Sequence, residues 1–256
     1  TASGTATLTS GSLFGSDSLS GGTFTYDDKN VGTNKTVTTT SVTVNDGNSG
    51  NNYTVSYADN TASSITQKAI SISGSSAANK VYDANTTATI TAGSLSGVVG
   101  GDTVTVSGAG TFDNKNVGTD KDVTTTYTLA GTDGGNYSLA GETLQADITQ
   151  KAISISGSSA ANKVYDANTT ATITAGSLSG VVGGDTVTVS GAGTFDNKNV
   201  GTDKDVTATY TLAGTDSGNY SLAGETLQAD ITQKAISISG STAANKVYDG
   251  NTTATI

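Results

Sequence analysis

The chain has no proline, cysteine, methionine, tryptophan, histidine or arginine. Lacking imidazole and thiol, it has no soft metal ligand, thiolate nucleophile or Ser-His-Asp triad, so zinc sites and the common hydrolase chemistries are excluded. Glutamate occurs only at Glu142 and Glu225, and no second carboxylate in the sequence pattern converges on either. A glycosidase-type pair is therefore not indicated, and no enzyme activity is expected. Twelve lysines against 22 acidic residues leave a formal charge of −10, which repels a phosphate backbone and argues against nucleic-acid partners. No run approaches the ~20 apolar residues of a membrane helix, and the first residues do not form a secretory leader, so any export signal is expected outside this segment. Absent cysteine fits a polymer that folds outside the cell without disulfide exchange.

What is present is repetition. The string Lys-Ala-Ile-Ser-Ile-Ser-Gly-Ser begins at Lys68, Lys151 and Lys234, a spacing of 83 residues. Residues 68–150 and 151–233 differ only at Thr125 against Ala208 and Gly134 against Ser217, so one fold serves both. Residues 1–67 are a divergent copy without the opening part of the unit, and residues 234–256 are that opening part alone. Two expectations follow: a window on a longer array, or strand exchange, in which 234–256 completes copy 1–67 of a second molecule in a head-to-tail filament.

Within a unit, apolar residues alternate over short stretches separated by Gly, Asn and Asp, a pattern of strands. Ile70 and Ile72, Ala88 and Ile90, Val104 and Val106, then Val123, Thr125, Tyr127 and Leu129, then Leu144, Ala146 and Ile148 each share one face. A helical turn is expected over Ala92 to Val99, and Tyr82, Tyr127 and Tyr137 are expected as core or corner residues with bonded hydroxyls. The pattern predicts an all-β protein, a tandem array of ~83-residue β-sandwich domains, Ig-like or β-grasp-like. Asp147 to Ile153 joins two units with no flexible spacer, which predicts an elongated, semi-rigid rod.

The strings Lys80-Val81-Tyr82-Asp83, Gly97 to Asp102, Thr111-Phe112-Asp113-Asn114-Lys115-Asn116-Val117-Gly118-Thr119, Asn136-Tyr137 and Ile148 to Lys151 together resemble the YDG-type repeat domain. The name-giving tripeptide stands only at Tyr248-Asp249-Gly250, alanine replaces its glycine at Ala84 and Ala167, and Gln67, Gln150 and Gln233 occupy a junction position where relatives commonly have proline. The resemblance implies stalk modules of very large bacterial adhesins related to filamentous haemagglutinin, exported by two-partner secretion. It implies an extracellular location, at the cell surface or in a secreted matrix, and no catalytic residues. The expected role is a structural stalk or filament module; the alternative is a multivalent binding module. Expected partners are neighbouring repeats, other filaments or surface glycans.

No cofactor is expected. The one metal candidate is calcium at Asp113, Asp120 and Asp122, with Asp196, Asp203 and Asp205 as their counterparts, against which Lys115 and Lys121 and the absence of EF-hand spacing favour a solvated turn. A Lys–Asn isopeptide bond near Lys80 is a second option, and glycosylation at Asn34, Asn52, Asn85, Asn136, Asn168, Asn219 or Asn251 a third.

Overall fold

A computed structural model describes residues 4–254, and these residues are all-β, with single 3₁₀ turns at Gly134–Asn136 and Ser217–Asn219. They group into two compact units: 4–80 with 86–114 and 119–147, and 81–85 with 115–118 and 148–254. The division does not follow the sequence copies. Three short pieces of the second copy, 81–85, 115–118 and 148–150, belong with the third.

The third copy lies wholly in one unit. Its main sheet orders Lys163–Val164, Glu225–Thr232, Gly201–Ala213, Thr188–Phe195 and Thr170–Ala171 side by side. The central hairpin pairs antiparallel from Phe195 opposite Val206 to Thr188 opposite Ala213. Ser159–Ala160 pairs with Ile173–Thr174, which continues the Thr170–Ala171 edge, while Lys163–Val164 pairs parallel with Ile231 and Thr232 at the other edge. Only Ala161 and Asn162 separate the two edge segments, a span of roughly 10 Å. Flat strands ~4.8 Å apart would hold those edges about 20 Å apart or more. The sheet is therefore forced to curl into a half-barrel.

Phe195, Val206, Ile231, Ala171 and Ala229 fill the hollow, with Ala160, Tyr165, Ile173 and Leu227 against them. A second, three-stranded layer places Lys151–Ser156 between Ser177–Ser179 and Tyr220–Leu222, the latter pairing parallel. The second copy repeats the hairpin register, from Phe112 opposite Val123 to Thr105 opposite Ala130. The first copy has three strands, Ser18–Tyr26, Gly32–Asn45 and Asn60–Ile65.

The alternation read from sequence is visible in burial: Val123, Thr125 and Tyr127 are buried and their neighbours exposed. The expected helical turn over Ala92 to Val99 is instead the strand Ser94–Ser96, paired antiparallel with Ser71 to Ser73. Gly93 admits this pairing, because a Cβ there would meet the Ser73 carbonyl oxygen.

Candidate functional site

Gly101 has a φ of +93° in a turn closed by Asp102 N–H to Val99 C=O, and that turn aims the Asp102 carboxylate at the strand Tyr137–Leu139. There Tyr137 donates its hydroxyl proton to Asp102 at 2.6 Å and accepts from Val99 N–H at 3.0 Å. The third copy repeats this at Tyr220, Asp185 and Val182 with distances of 2.6 and 3.0 Å. In the first copy Tyr53 donates to Asp17 at 2.7 Å and accepts from Phe14 N–H at 3.0 Å. In each copy the tyrosine hydroxyl thus anchors the aspartate.

A segment of the preceding sequence copy then closes on each acid, within one compact unit in both cases. Lys29 lies 2.8 Å from Asp102 and 2.9 Å from Asp133; Lys115 lies 3.1 Å from Asp185 and 3.4 Å from Asp216. Beside the lysine, Val31 N–H donates to Asn136 Oδ1 at 2.8 Å and Val117 N–H to Asn219 Oδ1 at 2.9 Å. The two asparagine amides return the contact, to Asn30 Oδ1 at 3.1 Å and Asn116 Oδ1 at 3.2 Å. Gln67 and Gln150, at the junction position, donate to Gly135 C=O at 3.1 Å and Gly218 C=O at 3.0 Å. The same clasp is thus built twice from the same residue types.

The clasp at Asp185 carries one more partner. Tyr82 donates to the same carboxylate oxygen as Tyr220, at 2.7 Å, and the two rings meet edge to face at 5.4 Å. Lys115 stands 5.9 Å from the Tyr82 ring centroid, in cation–π range. Burial pushes the Asp185 carboxyl up, but hydrogen bonds from Tyr220, Tyr82 and Lys115 outweigh it and hold the carboxyl below the usual range. Burial and then the Asp185 charge push the Tyr220 phenol up to about 12. Hydrogen bonds to Asp185 and Tyr82 raise Lys115 above its ordinary value, and Asp102 and Asp133 do the same for Lys29. Each group is locked in the charge state that the clasp needs.

Of the motif residues read from sequence, Tyr82, Asn136 and Tyr137 enter clasps, Phe112 is a fully buried core ring, and Lys80 caps its own loop through Thr87 C=O at 3.2 Å. Asp83 accepts from Asn85 in an Asx turn. Tyr248 is 93% exposed, Asp249 pairs with Lys246 at 2.8 Å, and Gly250 has a φ of +73°. Ala84 and Ala167 occupy the same left-handed region at +66° and +70°, so the glycine of the motif has a conformational reason. The lysines and aspartates of the clasp were not singled out from sequence. Their spacing is unremarkable, because a lysine in one copy meets acids at least 70 residues further on.

The aspartates named as calcium candidates face other partners. Asp113 and Asp196 are taken by Lys121 and Lys204 at 2.7 Å, and Asp122 faces Gln145 at 3.5 Å. Asp120 and Asp203 direct their backbone N–H groups to Asp147 and Asp230, and Asp205 offers its carbonyl to Asp196. Among the described residues no group of three or more His, Cys, Asp or Glu side chains is placed to hold a metal. At the third copy Lys163, the counterpart of Lys80 in the isopeptide option, reaches Asp166, Asn168 and Thr170 C=O within its own loop. Asn219, one of the glycosylation candidates, is only 5% exposed.

Fold and clasp together define an all-β tandem-repeat protein whose successive copies share a conserved set of polar partners. The YDG domain model matches residues 1–62, 66–145 and 149–228, and the chain belongs to the YDG domain family. No curated protein matches. Among solved structures, Drosophila N-cadherin EC1-3 is 11% identical over 83% of this chain and 89% of its own, with a TM-score of 0.20. The EC1-4 fragment is 10% identical over 83% and 67%, with a TM-score of 0.21. Scores this low assign no common fold.

Proposed function

We propose that the chain is a structural spacer, a stalk or filament module of an extracellular bacterial adhesin or matrix fibre, non-catalytic, in which copies are added to gain length and resist bending. The twice-built clasp carries the reading: hydrogen-bonded ion pairs at each join restrict hinge motion that a bare linker would allow. The tyrosines support it too. Tyr82, Tyr137 and Tyr220 are buried with their hydroxyls in clasps, so they offer no platform for stacking a sugar ring. Small-angle scattering of the chain is the test: one persistent long dimension is expected, and a broad ensemble of bent forms, or binding of a defined glycan by the monomer, overturns it.

Strand exchange is a second reading with its own support. Residues 234–254 form no strand, and Ile236, Ile238 and Val247 are 83–89% exposed, while the first copy holds a cavity of about 630 Å³ lined by Leu8, Leu19, Phe24, Val37 and Val44 among others. A concentration-independent monomer in sedimentation removes this reading.

A further inference from the structure

The third copy carries the donor half of the clasp with no acceptor on it. Lys198, Asn199 and Val200 repeat Lys115, Asn116 and Val117, and Tyr165 repeats Tyr82. Lys198 has no ion pair among the described residues, whereas Lys29 and Lys115 each have two. Val200 is 48% exposed, while Val31 and Val117 are half-buried and donate to asparagine. Tyr82 is 1% exposed under its aspartate; Tyr165 rests its ring on the core but is only partly buried, and its hydroxyl has no partner among the described residues. The face therefore presents an ammonium, a phenol O–H and a backbone N–H, all donors, where the two filled sites hold two carboxylates and an asparagine oxygen.

We propose that the face formed by Tyr165, Lys198, Asn199 and Val200 docks a further YDG copy, joined in cis, through that copy's counterparts of Asp185, Asp216, Asn219 and Tyr220. The inference rests on the stalk reading and supplies its rule of addition. The cis arrangement follows from energetics. The face offers mostly polar donors, and a direct strand-to-strand join such as Thr149 to Lys151 raises the effective concentration of the next copy over that of a free partner. Tyr165 would donate to the incoming acid beside that copy's own tyrosine, as Tyr82 and Tyr220 share Asp185.

Lengthening the chain past Ile256 with its own residues 174–233 completes a fourth copy and tests the proposal. In the 256-residue chain, Lys198→Ala and Tyr165→Phe are expected to leave urea unfolding unchanged. In the lengthened chain each is expected to raise the unfolding constant about three- to tenfold, as Lys115→Ala and Tyr82→Phe do in both chains. Amide exchange at Val200, followed on the unsubstituted chains, is expected to slow about as much as that at Val117 only after lengthening. Silent Lys198 and Tyr165 variants with fast Val200 exchange in the lengthened chain, beside costly Lys115 and Tyr82 variants, overturn the docking proposal alone. Silent Lys115 and Tyr82 variants remove the coupled-stalk reading as well. Self-association of the 256-residue chain that Lys198→Glu abolishes makes a second molecule the occupant and overturns the cis proposal.

Discussion

The Asp185 side chain is 4% exposed and accepts from two phenols and an ammonium. Asp185→Ala leaves those donors facing each other in a partly dry site, and a loss of about 2–4 kcal/mol is expected in urea unfolding. Asp102→Ala should cost less, because Tyr137 and the exposed Lys29 are its partners and no second phenol among the described residues reaches it. A residue-level gain is also available. Ala84 and Ala167 hold φ values that cost an L-residue about 1 kcal/mol or more, partly offset by the greater unfolded freedom of glycine. Ala167→Gly is accordingly expected to stabilise by up to ~1 kcal/mol, read as an increased urea midpoint.

Strand pairing at the element scale depends on places where no side chain fits. A Cβ at Gly176 would stand 2.0 Å from the Ser156 carbonyl oxygen, a backbone atom that cannot rotate away. Gly176→Ala should therefore separate Ser177–Ser179 from Lys151–Ser156 and cost more than about 2 kcal/mol. Gly183, open on all sides and outside the left-handed region, is the control, and its alanine variant is expected to melt unchanged. The hairpin beside it shows the same economy: Gly191 and Gly193 bare the strand so that Ile173 can lie against it.

Over the whole molecule the clasp groups with shifted titration fall into two sets, carboxyls moved down and lysine and tyrosine groups moved up. The carboxyls of Asp102, Asp133 and Asp185 lie below their ordinary values, so their contribution is complete above about pH 4 and is lost as pH falls further. Lys29, Lys115 and Tyr220 lie above theirs, so their contribution is complete below about pH 10 and is lost as pH rises. With no histidine between, melting temperature is expected to be flat from about pH 5 to 9 and to drop on either side. Chelator or added calcium is expected to leave the melt unmoved, which calorimetry checks directly, since the acidic side chains pair with lysine and amide groups instead of converging.

Repetition, strand alternation and the absence of histidine and cysteine are local or compositional properties, so the sequence by itself determined the all-β class, the ~80-residue repeat and the YDG likeness. It also marked Tyr82, Asn136 and Tyr137, because they sit in strings that recur. Their partners were not legible. Lys115 and Asp185 are 70 residues apart, each an ordinary turn residue in its own copy, and only the folded backbone brings the pair to 3.1 Å. The stretch Ala92 to Val99 shows the same limit, since three residues have no period of their own and their pairing partner decided that they form a strand. Calcium was a reading of acidic spacing; the tertiary structure sets Asp113 and Asp196 of that spacing against Lys121 and Lys204.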